Sequence, residues 1–112
     1  MPDLLQARAV AAWQAHKERL RKFAAGQITS DTLITSSKTL QDAESALGLT
    51  GEKRLEQLER QWGYAKFAYD FYKSRFEDGK IGPDEYYPIE AHLLEMEIAI
   101  AKAKSPKGSE KK

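Results

Sequence analysis

The sequence predicts an all-α protein of four antiparallel helices, built as two tandem duplicated hairpins in an up-down-up-down bundle or coiled coil. Three observations lead to this fold class. Apolar residues recur at helical spacing, glycines divide the chain into four segments, and the second half repeats the pattern of the first. The chain has 112 residues, enough for one domain with a buried core. We place this domain at residues 1–104, with hairpins at 3–47 and 51–104.

The first predicted helix covers residues 3–25 and ends at Gly26, because glycine readily adopts the left-handed conformation that closes a helix. Its inward seam contains His16, which we expect to be a hydrogen-bonded core residue. The second helix begins near Asp31, whose charge suits the positive end of a helix, and continues to Leu47. A short linker follows, so we expect the second and third helices to be antiparallel neighbours.

The third predicted helix has the strongest pattern. Its apolar residues follow a strict 3,4 spacing, which is typical of a bundle or coiled-coil helix: Leu55, Leu58, Trp62, Ala65, Tyr69, Tyr72 and Phe76. Three more aromatic residues, Tyr64, Phe67 and Phe71, fall on the opposite side, where an amphipathic helix carries charge. Such rings could present about 450 to 750 Å² of surface. We expect a partner interface there; the alternatives are packing against the first helix or the other hairpin, and, least favoured, stacking of nucleobases.

The fourth predicted helix starts at Pro83, since proline is favoured at the first helical position, and runs to residue 104. Asp84 and Glu85 follow in its first turn, where acidic side chains are stabilising. His92 falls beside its inward seam and is expected at the core boundary. Residues 105–112 are rich in lysine and predict a disordered tail.

The two halves of the chain are related by an offset of 53 residues, which is the separation of Phe23 from Phe76. Seven of 25 aligned positions are identical, namely Phe23/Phe76, Gly26/Gly79, Ile28/Ile81, Asp31/Asp84, Leu40/Leu93, Glu44/Glu97 and Ala46/Ala99. Because the helical register is also shared, the chain is interpreted as a duplicated hairpin. Both hairpin tips then lie at the same end of the molecule, and they consist of Gly26, Ile28 and Asp31 in the first hairpin and Gly79, Ile81, Asp84 and Glu85 in the second.

The repeated motif resembles the helical hairpin of the outer membrane efflux proteins, the TolC-like family. The resemblance is closest to small uncharacterised bacterial envelope proteins that carry a two-hairpin unit. The second copy has the motif as Arg75, Phe76, Gly79, Ile81, Glu85, Leu93, Glu97 and Ala99, and the first as Lys22, Phe23, Gly26, Ile28, Leu40, Glu44 and Ala46. The first copy departs from the motif at Thr32, where an acid is expected. The resemblance implies that the glycine tips dock a protein partner.

Composition and motifs disfavour several classes of function. Eighteen basic and seventeen acidic residues leave a net charge of +1, without the positive excess of a typical nucleic-acid binder. There is no cysteine and there are only two histidines. No serine lies in a recognisable nucleophile motif. We therefore expect no enzymatic activity, no cofactor and no metal site.

Two functions remain as hypotheses. The first is a protein-interaction or structural module, with self-association into a homo-oligomer as one form of it. The alternative is a cytosolic regulatory bundle that binds a protein or nucleic acid through the basic segment around Arg19 and the lysine-rich tail. No apolar run is long enough for a membrane span. The chain as written reads as cytoplasmic, or as periplasmic or envelope-associated if Met1 replaces a removed signal peptide.

Overall fold

A computed structural model of the protein describes residues 2–105. It contains four α-helices, which are α1 (Pro2–Ala24), α2 (Ser30–Ser45), α3 (Gly51–Glu77) and α4 (Pro83–Lys104). No strand occurs in this part of the chain, so the predicted all-α fold with four helices is confirmed. Most of the predicted tail, from residue 106 to 112, lies outside the described residues.

The two hairpin turns close with the same backbone geometry. Gly26 and Gly79 have φ angles of 77° and 73°, in the left-handed region that glycine adopts without a steric penalty. In each turn the glycine N–H donates to the carbonyl three residues earlier at 3.0 Å, and the next N–H donates to the carbonyl five residues before it at 2.8 Å. This is the Schellman motif. The repeat seen in the sequence therefore extends to the backbone hydrogen bonds that end α1 and α3.

Contacts between side chains show how the helices run. Along α3 and α4 the order is opposite, because Tyr69 meets Tyr86 near the tip while Trp62 meets Glu97 farther away. Between the hairpins the order is the same. Trp13 and Phe23 of α1 contact, in that order, Tyr64 and then Phe71 of α3. On α2 and α4, Ser30 meets Glu85 and Ser37 meets His92.

The hairpins thus pack face to face, with α1 against α3 and α2 against α4. The short linker predicts that α2 and α3 are close neighbours, but these two helices touch only sparingly. Their polar contacts centre on Glu44, near the linker. The physical reason is that each helix already covers its apolar face with the other helix of its hairpin and with the equivalent helix of the second hairpin.

The apolar core is concentrated toward the hairpin tips. Its main cluster takes residues from all four helices: Leu20, Phe23, Leu33, Ala68, Tyr72, Tyr86 and Ile89. A smaller cluster lies farther from the hairpin tips, between α3 and α4, and contains Ala65, Leu93 and Met96. On α3 the predicted seam is slightly displaced, because Trp62 and Phe76 are only half-buried while Gln61 and Ala68 are buried.

The duplicated phenylalanines provide a matched test of this core. Phe23 is 0% exposed and packs on Tyr72 with ring centroids 4.3 Å apart, whereas its equivalent, Phe76, is half-buried. Replacing a buried phenylalanine by alanine removes its transfer energy and leaves a cavity. We therefore expect Phe23→Ala to lower the free energy of unfolding by about 3 to 5 kcal/mol. Phe76→Ala should cost clearly less in the same urea titration, and equal losses would contradict the asymmetry of the core.

Candidate functional site

The two hairpin tips are joined by one carboxylate. Glu85 Oε1 accepts hydrogen bonds from the Ser30 backbone N–H at 3.1 Å and from the Tyr72 hydroxyl at 3.2 Å. The Ser30 hydroxyl lies 2.6 Å from the backbone carbonyl oxygen of Glu85 and 3.0 Å from its Oε1. Ser30 is the first residue of α2, so its N–H has no acceptor within the helix. Glu85 of the second hairpin thus caps a helix of the first. The tips lie at the same end, as the repeat predicts.

The other predicted tip residues divide into two groups. Ile28 and Ile81 are half-buried and pack against the main core cluster. The remaining four are exposed: Gly26, Asp31, Gly79 and Asp84. The glycines and aspartates of the tips are therefore accessible to solvent, while the two isoleucine side chains pack against the core.

The predicted aromatic face is largely covered by α1. Tyr64 accepts a hydrogen bond from the Trp13 indole N–H and meets the His16 ring edge-on at 5.5 Å. Phe71 packs edge-on against Phe23 at 5.9 Å. Phe67 alone of the three is exposed, at 50%. Two of the three residues that we predict at a partner interface therefore contact the chain's own first helix, which was one of the alternatives drawn from the sequence.

A pair of serines on α2 links both histidines to the centre of the bundle. Ser36 Oγ lies 2.9 Å from His16 Nδ1 on α1, and Ser37 Oγ lies 2.8 Å from His92 Nε2 on α4. All four side chains are buried. His16 is thus a core histidine, as expected. His92 is not a boundary residue, because Ser37 gives it a hydrogen-bond partner inside the bundle.

The environment keeps both histidines uncharged at neutral pH. Burial lowers the pKa of His16 to about 4, and the charges of His92 and Arg19 act in the same direction. Burial also lowers the pKa of His92, although Glu95 at 3.8 Å opposes this shift. A general base works best when its pKa is near the operating pH. The Ser36–His16 pair is therefore better suited to fixing the helices than to activating a nucleophile.

The glutamates of the repeat both bond to neighbouring residues of α3. Glu44 is buried, and its carboxylate accepts from Arg60 Nη2 and Gln61 Nε2, each at 2.7 Å. Its equivalent, Glu97, is exposed and accepts from Trp62 Nε1 at 3.2 Å. A buried carboxylate needs such donors, because an unpaired buried charge is strongly destabilising. The same motif position is thus buried in the first hairpin and exposed in the second.

A groove opens at the linker end of the molecule. It has a volume of about 410 Å³ and lies between the first half of α1, the linker and the start of α3. Its walls include the apolar side chains of Val10, Trp13, Leu47 and Leu49 and the basic side chain of Lys53. Arg60 also lines it, but this guanidinium is already paired with Glu44.

The outer face of α4 carries an exposed apolar row, which we call the α4 stripe. Its residues follow a 4,3,4,3 spacing and all are exposed: Tyr87, Ala91, Leu94, Ile98 and Ala101. The three large side chains are 53%, 51% and 55% exposed, in chain order. The inward seam of the same helix is buried on the other side, at Tyr86, Ile89, Leu93 and Met96. The inward seam is predicted from the sequence, whereas the α4 stripe is not, although its residues also follow helical spacing.

Comparison of the chain with protein-family models, with curated proteins and with solved structures gave no match. The resemblance to the TolC-like hairpin therefore stays a prediction from the motif residues. Among residues 2–105, no helix is both long enough and apolar enough to cross a bilayer, in agreement with the sequence. Over the same residues, no three histidine or acidic side chains are grouped as a metal site would require.

The carboxylate at the tips can be tested with neighbouring acids. In Glu85→Ala, the buried Ser30 N–H and the Tyr72 hydroxyl lose their shared acceptor, which should lower the free energy of unfolding by about 1 to 3 kcal/mol. Asp84→Ala removes an exposed acid from the same helical turn and should cost less than about 1 kcal/mol. Urea titration of both variants and the wild type measures these changes in the free energy of unfolding. Equal effects would mean that the Glu85 carboxylate does not contribute to holding the tips together.

The buried histidine makes stability depend on pH. His16 has a pKa of about 4 in the folded chain and 6.5 in a model peptide, so the unfolded state binds its proton more readily between these values. The contribution of His16 to the free energy of unfolding is therefore fully present above pH 6.5 and is lost as the pH falls toward 4. At 1.36 kcal/mol per pKa unit, the loss from this group is about 3 kcal/mol.

We therefore expect the free energy of unfolding of His16→Gln to fall by about 3 kcal/mol less than that of the wild type between pH 7 and pH 4. The comparison with the wild type cancels the carboxylates, which titrate in both proteins. Parallel pH profiles for the two proteins would contradict the assignment of a neutral, buried His16.

Proposed function

We propose that this chain is a non-enzymatic helical interaction module that binds a protein partner through the α4 stripe. The observation that carries the proposal is an apolar row with coiled-coil spacing on the outer face of α4, opposite its buried seam. A surface helix of a folded domain normally carries polar residues on that face. Contiguous apolar surface that is left exposed is typical of a binding site.

The repeat supplies an internal comparison that supports this reading. At the positions equivalent to the α4 stripe, the first hairpin has Ile34, Lys38, Gln41, Ser45 and Gly48. The same fold position is thus mostly polar on α2 and wholly apolar on α4. Duplication alone does not account for the stripe, since the equivalent positions of the first hairpin are mostly polar. A contact specific to α4 accounts for it.

The aromatic face of α3 and the hairpin tips are largely engaged within the chain. Tyr64 and Phe71 pack on α1, and Glu85 joins the tips. In the described part of the chain, three of the seven exposed large apolar side chains belong to the α4 stripe. Phe67 keeps an exposed ring on α3 and is retained in the proposal as a secondary contact. Association with the cell envelope, which the TolC-like resemblance implies, belongs to the same proposal.

Site-specific photo-crosslinking tests the contact role. A photoreactive phenylalanine analogue at Ile98 should yield a protein adduct of defined mass in cells that produce the chain naturally. Ser45, the equivalent exposed position on α2, is the matched control and should yield none. A third probe at Phe67 tests the secondary contact. Absence of an adduct from Ile98, or the same adducts from Ile98 and Ser45, would contradict the proposal.

A regulatory bundle that binds nucleic acid is the second candidate, because α1 and α3 each place a cation over an aromatic ring. Lys17 Nζ lies 3.8 Å from the centre of the Trp13 ring, and the Arg75 guanidinium carbon lies 5.3 Å from that of Phe71. Exposed rings beside positive charge can stack on single-stranded bases. This candidate requires affinity for a single-stranded oligonucleotide that falls steeply with salt. It also requires that Phe67→Ala weaken the binding.

A further inference from the structure

We infer that the occupant of the α4 stripe is α4 of a second copy of this chain, paired in the antiparallel direction. This inference rests on the proposed contact role and specifies its partner. Two features of α4 support it independently, namely the order of charges beside the stripe and the order of large and small side chains within it.

The charges beside the stripe are separated along the helix. Acidic side chains flank its first part, at Glu90, Glu95 and Glu97, and basic side chains flank its last turns, at Lys102 and Lys104. Two parallel copies would place Glu97 near Lys102 of the partner, which is favourable. They would also place Glu90 near Glu95, which is unfavourable. Two antiparallel copies place the acidic part of each stripe beside the lysines of the other. Charge order therefore favours the antiparallel pair.

The antiparallel direction also fits the side-chain sizes in one register. When Ile98 of one copy lies opposite Ala101 of the other, Leu94 reaches the end of the partner's helix. Ile98 then pairs with Ala101 and Leu94 with Ser105, so both layers combine a large side chain with a small one, which lets two helices approach closely. Tyr87 and Ala91 lie beyond the end of the partner's helix and take no part in this contact. The same register brings Glu95 close to Lys102 of the second copy, and Glu97 close to its Lys104. Size and charge thus select the same alignment.

The pair is expected to be weak and concentration-dependent. One helix from each chain supplies the contact, so the buried area falls at or below the low end of the range of about 1,200 to 2,000 Å² for stable complexes. A two-fold axis between the helices makes the contact closed and self-complementary. The result is a dimer and not an open filament.

Charge reversal tests the pair in the purified full chain. Sedimentation equilibrium should show the mass rising from 12.7 kDa toward twice that value with concentration. The double variants Lys102→Glu/Lys104→Glu and Glu95→Lys/Glu97→Lys should each associate at least tenfold more weakly. An equimolar mixture of the two should recover the association. Lys22→Glu/Lys80→Glu, which changes the net charge as the Lys102/Lys104 variant does but at exposed positions outside α4, should associate like the wild type.

Disulfide trapping tests the direction. The chain has no cysteine, so single cysteines report only the intended pair. Leu94→Cys mixed with Ser105→Cys should form a mixed disulfide on oxidation. Neither variant alone should cross-link, because in the antiparallel register the identical positions lie about 16 Å apart along the helix axis.

Three outcomes would overturn the inference. A chain that stays monomeric up to millimolar concentration would exclude self-pairing, and adducts from Ile98 to a different protein would then preserve the proposed contact role. A dimer that is insensitive to the four charge reversals would place its interface elsewhere. Ready cross-linking of Leu94→Cys to itself would establish a parallel pair. Circular dichroism of each variant confirms that the helices are retained.

Discussion

The relative position of the two hairpins depends on polar contacts between α2 and α4. Apolar packing brings two helices together but defines their axial position only weakly, since hydrophobic attraction is non-directional. Ser30 bonds to Glu85, and Ser37 bonds to His92 seven residues later on both helices. Two hydrogen bonds with the same separation on both helices fix the register over two turns. The Glu85 bond adds a cap for α2, so register and helix start are fixed by the same carboxylate.

The two hairpins share the geometry of their turns and differ in how equivalent residues are used. The glycine turns match in φ angle and hydrogen bonding. The side chains of equivalent residues differ in environment, because Phe23 is in the centre of the molecule while Phe76 is near its surface. Glu44 and Glu97 differ in the same way. Both hairpins contribute to the buried core, but the exposed apolar row on α4 belongs to the second alone.

Local signals explain how much of this fold could be predicted from the sequence. Helix ends were predictable because glycine at Gly26 and Gly79 and proline at Pro83 act through backbone geometry alone. The burial of His16 followed from helical spacing. The bond between Glu85 and Ser30 could not be predicted, since the two residues are 55 positions apart and meet only once the hairpins are packed.

The aromatic face of α3 illustrates the same limit. Its two-sided character was clear from the sequence, but the sequence does not determine which helix lies beside it. The parallel packing of α1 on α3 decides that Tyr64 and Phe71 are covered and that Phe67 is not. The α4 stripe also follows the 3,4 spacing of apolar residues in the sequence. Tyr86 and Tyr87 begin two apolar rows one residue apart, and helical spacing alone does not determine which row faces the core.

Separation of the two rows on α4 has a consequence for binding. The buried row ties α4 to the other helices, and the stripe shares none of its residues. A helix that docks on the stripe therefore leaves the core contacts of Ile89, Leu93 and Met96 in place. Preorganised surfaces of this kind lose little conformational entropy on association. In the proposed pair, even a small interface can then be specific, because the order of charges lies on a helix that the core already holds in place.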